Sequence, residues 1–349
     1  MTVNIKYYRP TPLPSDTNPF QVFLARELKK NGWELTRFKW WRIIPLIKNR
    51  GKVSIIHLHW PEAFWRSQKA IFQFMKIVQF ILSVWLAKAL GYKFAWSAHN
   101  VLPHNQVRNM SWEKNMRSFI LRNFDLVIGH SKNCKEDLLS QFGTKGKKYV
   151  LAVHGHYEDY YPPADKDSLR EELNISKKSK VIVLFGSEHT YKGTGHFLDT
   201  WLKLKEKDIV LIISGYIMPR VKEEIKNHSN IRVIEGFLPD QKLSNMISLA
   251  DYIALPYLSI TTSGMYFLAL TYQTPVIASN LSFFRQHGDD KTMLLFDWEK
   301  PQKSLIEVLD SIKNEWKADQ KLLEQLKAKY TWQVPGQNIA KAFEEVTNL

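Results

Sequence analysis

Residues 251–280, DYIALPYLSITTSGMYFLALTYQTPVIASN, constrain the chain more than any other stretch. They hold, in order, a short run rich in β-formers (252–256), a polar connection (258–262) closing on Ser263-Gly264, and an amphipathic helix over about 264–272. That helix stops at Gln273-Thr274-Pro275, and a second buried run follows at 276–278. A strand, a glycine-bearing turn and a helix start present unpaired backbone N–H groups and the positive end of the helix dipole to an anion. Thr261, Thr262 and Ser263 add hydroxyls at that turn, and Gly264 lets a phosphate approach the backbone closely. The same cap chemistry also serves helices that bind nothing.

The same alternation runs through the whole chain. Strand-like runs at 3–8, 34–40, 54–59, 94–97, 126–129 and 149–153 are separated by helical patterns at 20–31, 66–90, 112–123 and 132–142. His57 and His59 fall on one face of the third run, because strand side chains alternate. After a charged, Pro-containing passage at 158–167 the pattern restarts with runs at 181–185, 209–215 and 231–233 and a helix at 241–249, and ends in helices over 304–329 and 332–346. Strands alternating with helices predict an α/β protein with parallel sheets. The chain length supports two domains, expected at 1–160 and 161–330, with 331–349 a final helix.

Charge separates the halves. Residues 1–150 carry 25 Lys+Arg against 8 Asp+Glu, a net +17, whereas the other 199 residues carry 24 against 26. A basic half invites an anionic membrane, a nucleic acid or an anionic soluble substrate. Against nucleic acid, no recognised fingerprint is present. Residues 66–90, RSQKAIFQFMKIVQFILSVWLAKAL, are strongly apolar. Lys76 leaves only the 77–87 run uninterrupted, short of the roughly 20 residues that cross a bilayer. One long helix or two, lying in the membrane interface or packed on a core, fit this composition. Cys134 is the only cysteine, which excludes a disulfide framework and a cysteine-rich metal site. The histidines lack the helical spacing of a zinc hydrolase, so no metal or other cofactor is expected. The N-terminal residues read as a strand and not as a signal peptide, which fits a cytoplasmic setting.

The arrangement Ala250-Asp251…Leu255-Pro256-Tyr257…Ser263-Gly264…Ala269-Leu270…Pro275-Val276-Ile277-Ala278 resembles the donor-binding segment of GT-B glycosyltransferases. The closest likeness is to the large, mostly retaining bacterial group 1 family that assembles cell-surface polysaccharides. The resemblance implies two Rossmann-like domains facing across a cleft, the last helix returning to the first domain, and the diphosphate of a nucleotide sugar at the start of helix 264–272. Gly186…Tyr191-Lys192-Gly193 resembles the family's second phosphate element. By that likeness Gly186, Gly193 and the catalytic Lys192 serve the donor, with His189 or Ser187, depending on the register, where an arginine is common. Phe237 and Leu238, in Gly236-Phe237-Leu238-Pro239, resemble the base-receiving loop, with Tyr216 as a further lining residue. His99 matches a histidine that contacts the donor sugar, and Asn100, His59, His154 and His156 are cleft candidates. Two departures stand out: Thr261 and Ala269 occupy the places of the family's two glutamates. A retaining route needs no general base, whereas an inverting one needs a base, an Asp or Glu carboxylate or a His, near the acceptor hydroxyl, and Asp16 and Glu62 are the acidic residues on first-half loops that could serve. The implied function is transfer of a sugar from a nucleoside diphosphate to a polyprenyl-diphosphate-linked glycan on the inner face of the cell membrane. Rival readings are a nucleotide-sugar epimerase and a non-catalytic module that binds lipid or nucleic acid.

Overall fold

The computed structural model describes residues 6–14, 19–102, 109–143, 146–158, 160–186, 190–204, 206–217, 219–226 and 228–348. The chain divides into two compact units, Met1–Gly155 with Thr331–Leu349, and His156–Tyr330.

In chain order, unit 1 contains β1 (Lys6–Thr11), α1 (Pro19–Lys30), β2 (Trp33–Leu35), α2 (Ile43–Asn49), β3 (Val53–Leu58), α3 (Ala70–Ala89), β4 (Lys93–Ala98), α4 (Met110–Asn123), β5 (Leu126–Gly129), α5 (Lys132–Phe142) and β6 (Lys148–Leu151). Its sheet is parallel in the order β2-β1-β3-β4-β5-β6. Both faces are covered, so the strands read as continuous apolar runs rather than alternating ones.

The run at 34–40 is not one strand. After the Thr36 N–H donates to the Tyr8 carbonyl (2.9 Å), the chain leaves the sheet, and Arg9 Nε holds the Phe38 carbonyl at 2.6 Å. Trp40 then turns fully into the core, edge-on to Phe64, Phe80 and Phe94. α2 follows where the sequence showed no helix. α3 is a single helix of 20 residues, long and apolar enough by length and composition to cross a membrane. One of its faces is already taken, because Phe80, Val84 and Ala87 are buried in the unit 1 core.

Unit 2 contains α6 (Lys166–Glu172), β7 (Lys180–Gly186), α7 (Thr194–Leu204), β8 (Ile209–Gly215), α8 (Pro219–Ile225), β9 (Ile231–Glu235), α9 (Asp240–Leu249), β10 (Tyr252–Leu255), α10 (Gly264–Thr271), β11 (Val276–Ser279), α11 (Ser282–His287), β12 (Met293–Phe296), α12 (Pro301–Lys313) and α13 (Gln320–Lys329). Its parallel order, β12-β11-β10-β7-β8-β9, reverses direction between β7 and β10. In such sheets ligands sit beyond the carboxyl ends of the two strands at the reversal. The charged tail expected over 304–329 is two helices, broken near Glu315, whose φ is +61°.

The chain then returns to unit 1 as α14 (Gln333–Thr347), which packs on α1. Gly336 permits the approach: a Cβ there would stand 2.5 Å from Glu27 Cβ. Phe343 closes the contact against Trp33 and Tyr8.

Candidate functional site

The reversal point of unit 2 carries a built site. From β7 the chain reaches a 3-10 turn, Thr190–Lys192, and Gly193 at φ +65°. A Cβ at Gly193 would lie 1.9 Å from the Pro256 carbonyl oxygen, so only glycine lets this turn press against the end of β10. The Leu258 N–H donates to the Tyr191 carbonyl at 2.7 Å and ties the two loops together. The β10 loop ends at Ser263, whose Oγ caps α10 by accepting the Tyr266 N–H at 3.1 Å and lies 3.3 Å from Tyr257 Oη. The N–H groups of Gly264 and Met265 have no carbonyl partner within α10, as the first turn of any helix dictates.

Between these loops is a cavity of about 290 Å³ lined by Lys192, Thr262, Ser263, Gly264 and a ring of Tyr157, Tyr161, Tyr191 and Tyr257. None of the lining residues is acidic. Among the described residues no carboxylate pairs with Lys192, and burial pulls its ammonium pKa below the ordinary lysine value. Burial pushes all four phenols up, so they stay protonated and able to donate. Thr262 Oγ1 is buried without a hydrogen-bond partner. An ammonium, neutral phenols, an unsatisfied hydroxyl and a helix N-terminus, with no opposing negative charge, are what a diphosphate requires.

Of the donor residues named from sequence, Lys192, Thr262, Ser263 and Gly264 come together here, and Gly193 shapes the turn. The Ser263 oxygen accepts the cap hydrogen bond from Tyr266 N–H, and its own O–H proton is left to donate. Thr261 is half-buried beside the site, and Ala269 is fully buried in α10, so neither place offers a carboxylate. Gly186 ends β7, where a Cβ would stand 3.0 Å from the Tyr216 carbonyl oxygen. Tyr216 and Phe237 project into solvent, Phe237 at 87% exposure, whereas Leu238 turns inward and is not available to a base. His189 lies outside the described residues, as does Asp16. The tyrosine ring escaped sequence reading. Tyr161 comes from the 158–167 passage, which reads from sequence as a boundary, Tyr157 stands just before it, and Tyr191 lies in the turn that ends at Lys192.

Unit 1 gathers a different cluster. His59, His99 and His130 each directly follow a strand, β3, β4 and β5 respectively, and these strands are adjacent. His59 Nδ1 is 3.3 Å from His99 Nε2, His99 stacks on His130 at 4.6 Å between ring centroids, and Trp60 stacks on His99 at 4.5 Å. Phe20, in the first turn of α1, sets its edge against all three and also meets His154. His57 bonds Ser97 Oγ at 2.9 Å, while its Nδ1 and His130 Nε2 are buried without partners. Desolvation drives these imidazoles neutral, His57 and His154 to about 3 and His130 to about 4, with His59 and His99 well below the usual value. Their mutual repulsion on protonation adds to the effect for His59 and His99. Among the described residues no three His, Cys, Asp or Glu side chains are placed to hold a metal ion.

Two sequence candidates change role. Glu62 is not a free base: its carboxylate pairs with the buried Arg117 at 3.3 Å, beside Glu113 and Arg66 at 2.7 Å. His156 belongs to unit 2, where its backbone N–H donates to Tyr330 and its Nε2 lies 3.7 Å from Glu158. Asn100 follows His99 at the end of β4.

Two parallel α/β units, the second with an anion cradle where its strand order reverses, make this a protein of GT-B fold. Residues 179–314 match the family described as Glycosyl transferases group 1. Over 273 residues the chain is 21% identical to GDP-mannose:glycolipid 4-beta-D-mannosyltransferase of Xanthomonas campestris pv. campestris, covering 75% of this chain and 72% of that protein. Similar solved structures include sucrose-phosphate synthase from Thermosynechococcus elongatus (TM-score 0.70, 14% identity, 98% of this chain and 99% of that one). Another is Anabaena HepE in complex with UDP and glucose (TM-score 0.70, 12% identity, 97% and 99%). The chain is a glycosyltransferase, and unit 2 carries its group 1 domain.

Proposed function

We propose that the protein transfers a sugar from a nucleoside diphosphate to a lipid-linked glycan, held on a polyprenyl diphosphate, in the assembly of a bacterial cell-surface or exported polysaccharide. The observation that carries the donor half is the cradle itself: Lys192 without a counter-ion, facing the N-terminus of α10 beside the unsatisfied Thr262 hydroxyl. As the sugar leaves, negative charge grows on the diphosphate, and donors fixed in place before the reaction stabilise it without reorganising. Lys192 and the dipole of α10 supply that charge, so the reading needs no metal. Two relatives support it in their names, one using GDP-mannose and a glycolipid, the other holding UDP and glucose.

The acceptor falls to unit 1, whose half of the sequence carries the excess of Lys and Arg. An anionic inner leaflet attracts such a surface by about 1 kcal/mol per basic residue close to it, which supports a peripheral position on the cytoplasmic face of the membrane. With Glu62 tied to Arg117, the acceptor proton goes to the leaving phosphate, and the sugar keeps its configuration. One observation favours a second, inverting route: the Xanthomonas relative is named for a β linkage, and an α-linked donor gives a β product by inversion. That route requires a base at the acceptor hydroxyl, and His59 or His99, which burial holds neutral but only weakly basic, would have to supply it.

A panel of UDP-, GDP- and dTDP-sugars tests the donor half by thermal shift. A ligand at 100 times its dissociation constant stabilises by about 2.7 kcal/mol. Stabilisation by one nucleotide class, lost in Lys192→Ala and weakened in Thr262→Val, supports the reading. No response from any member, beside a responding control protein, removes it and favours a binding module. The anomeric coupling of the product then separates retention from inversion.

A further inference from the structure

α2 and α3 carry ten of the eighteen large apolar side chains that are exposed among the described residues, Ile44, Ile47, Phe74 and Trp85 among them. Scattered exposed leucines or isoleucines need no explanation, but such a concentration does. Between the two helices runs a groove of about 490 Å³, bounded by Trp41, Ile43 and Leu46 on one side and Phe74, Val78 and Leu82 on the other. Only two of its ten lining residues are polar, Gln79 and Ser83, and the Ser83 hydroxyl already donates to the Gln79 carbonyl at 2.7 Å. An occupant therefore meets no hydrogen-bonding demand from the serine, and hydrocarbon fits the walls.

The charge around the groove selects the source of that hydrocarbon. Residues 36–112 hold twelve Lys and Arg but a single acidic residue, Glu62, and Glu62 is paired with Arg117. Exposed Arg42 immediately precedes α2, exposed Lys48 lies in its last turn, and Lys76 stands within α3. Two copies of so basic a face repel each other, which disfavours self-association. Apolar side chains ringed by basic ones suit an anionic bilayer, with chains below and phosphates at the level of the ammonium groups.

We propose that the α2–α3 face embeds in an anionic bilayer and that the groove between the helices takes one acyl chain of a membrane lipid. The inference rests on the membrane-facing reading of unit 1 and adds to it a single-chain site and a second inserting helix. α2 and α3 then act as two prongs on either side of one lipid, and α3 stays attached to the sheet through Phe80, Val84 and Ala87.

Two readouts on the full chain separate the parts. Flotation with vesicles of equal parts phosphatidylcholine and phosphatidylglycerol reads the bilayer. Calorimetric titration with dodecyl phosphate, kept below its self-association concentration, reads the groove alone. The expected result is flotation on these vesicles but not on pure phosphatidylcholine, and saturable binding of one dodecyl phosphate. Val78→Trp and, separately, Leu82→Trp fill the groove while leaving the face apolar. They should keep flotation and weaken dodecyl phosphate by about tenfold or more, the loss when roughly two methylenes no longer enter. Ile44→Asp with Ile47→Asp should abolish flotation. Unsaturable binding, or native affinity in both filled variants with unchanged thermal midpoints, overturns the groove while leaving the membrane reading in place. Failure of the native chain to float overturns both, and points to a protein partner for the face.

Discussion

Replacing Lys192 tests the donor reading most directly, and the structure fixes both the size and the pH dependence of the effect. The side chain is half-buried, has no carboxylate partner among the described residues, and has its pKa lowered by desolvation alone. Its ammonium is therefore paired only when an anion arrives. A hydrogen bond to a charged group contributes about 1.5–3 kcal/mol, so Lys192→Ala should weaken nucleoside-diphosphate binding by about 10- to 150-fold. Isothermal titration across pH 7 to 10 with the nucleotide class found by thermal shift measures it. In the free protein the lowered pKa means that Lys192 begins to lose its proton below the ordinary lysine value of about 10.4. Bound diphosphate favours the charged form, so affinity falls as pH rises through that lowered pKa. Stability of the ligand-free protein moves oppositely. Between the lowered and the ordinary value the unfolded chain binds more protons, so the Lys192 contribution to stability rises with pH. Lys192→Arg keeps its charge throughout and should flatten the affinity profile. Less than about a twofold loss in Lys192→Ala, or a native profile in Lys192→Arg, would sink the assignment of Lys192 to the diphosphate.

The histidines of unit 1 make it the acid-sensitive half. His57, His130 and His154 are held neutral to about 3, 4 and 3, so below the usual histidine value of about 6.5 the unfolded chain takes up protons that the folded one refuses. Stability is lost as pH falls from there toward 4, at about 1.4 kcal/mol per pH unit for each histidine. Nine of the twelve tryptophans lie in unit 1, so urea midpoints followed by tryptophan fluorescence should drop sharply between pH 7 and 5, and equal midpoints would refute it. Gly193→Ala forces a Cβ against the Pro256 carbonyl at positive φ. Thermal melts should show a loss of about 1–3 kcal/mol and no stabilisation by the nucleotide. Gly91→Ala, with open space around its Cβ, should leave the nucleotide response intact. Arg117→Met removes the buried guanidinium that pairs with the half-buried Glu62 carboxylate, and chemical denaturation should register about 3 kcal/mol, partly recovered when Glu62→Gln is added.

What could be read from the sequence, and what could not, divides by whether the signal is local. The anion-binding turn was legible because strand, cap and helix lie within one short segment, so Ser263-Gly264 declared a helix start before any tertiary contact was known. Lys192 was legible only through the resemblance of its flanks. α2 was not legible: it has seven residues, Pro45 lies in its first turn, and a β-rich composition just upstream suggested a strand that Trp40 abandons for the core. The tyrosine ring depends on residues far apart in sequence meeting over one cavity, and a passage such as 157–161 shows no periodicity that would announce it.

The histidine cluster lies between these cases, and the missing step was topological rather than chemical. His59, His99 and His130 each occupy the first position after a strand. Two were singled out from sequence, and His130 was passed over because a lone histidine carries little information. In a parallel sheet all strands point the same way, so the first residues after neighbouring strands share one edge. Once β3, β4 and β5 are read as consecutive neighbours, three histidines at the same offset become one cluster. The order β3-β4-β5 is the simplest outcome for sequential strands, since these tend to lie side by side. The cluster was therefore within reach of the sequence through one further inference, that a recurring residue type at a fixed offset from strand ends marks a shared edge. That offset also accounts for the electrostatics: burial of the rings at one dry edge, with their mutual repulsion on protonation, keeps His59 and His99 neutral and makes them weak bases.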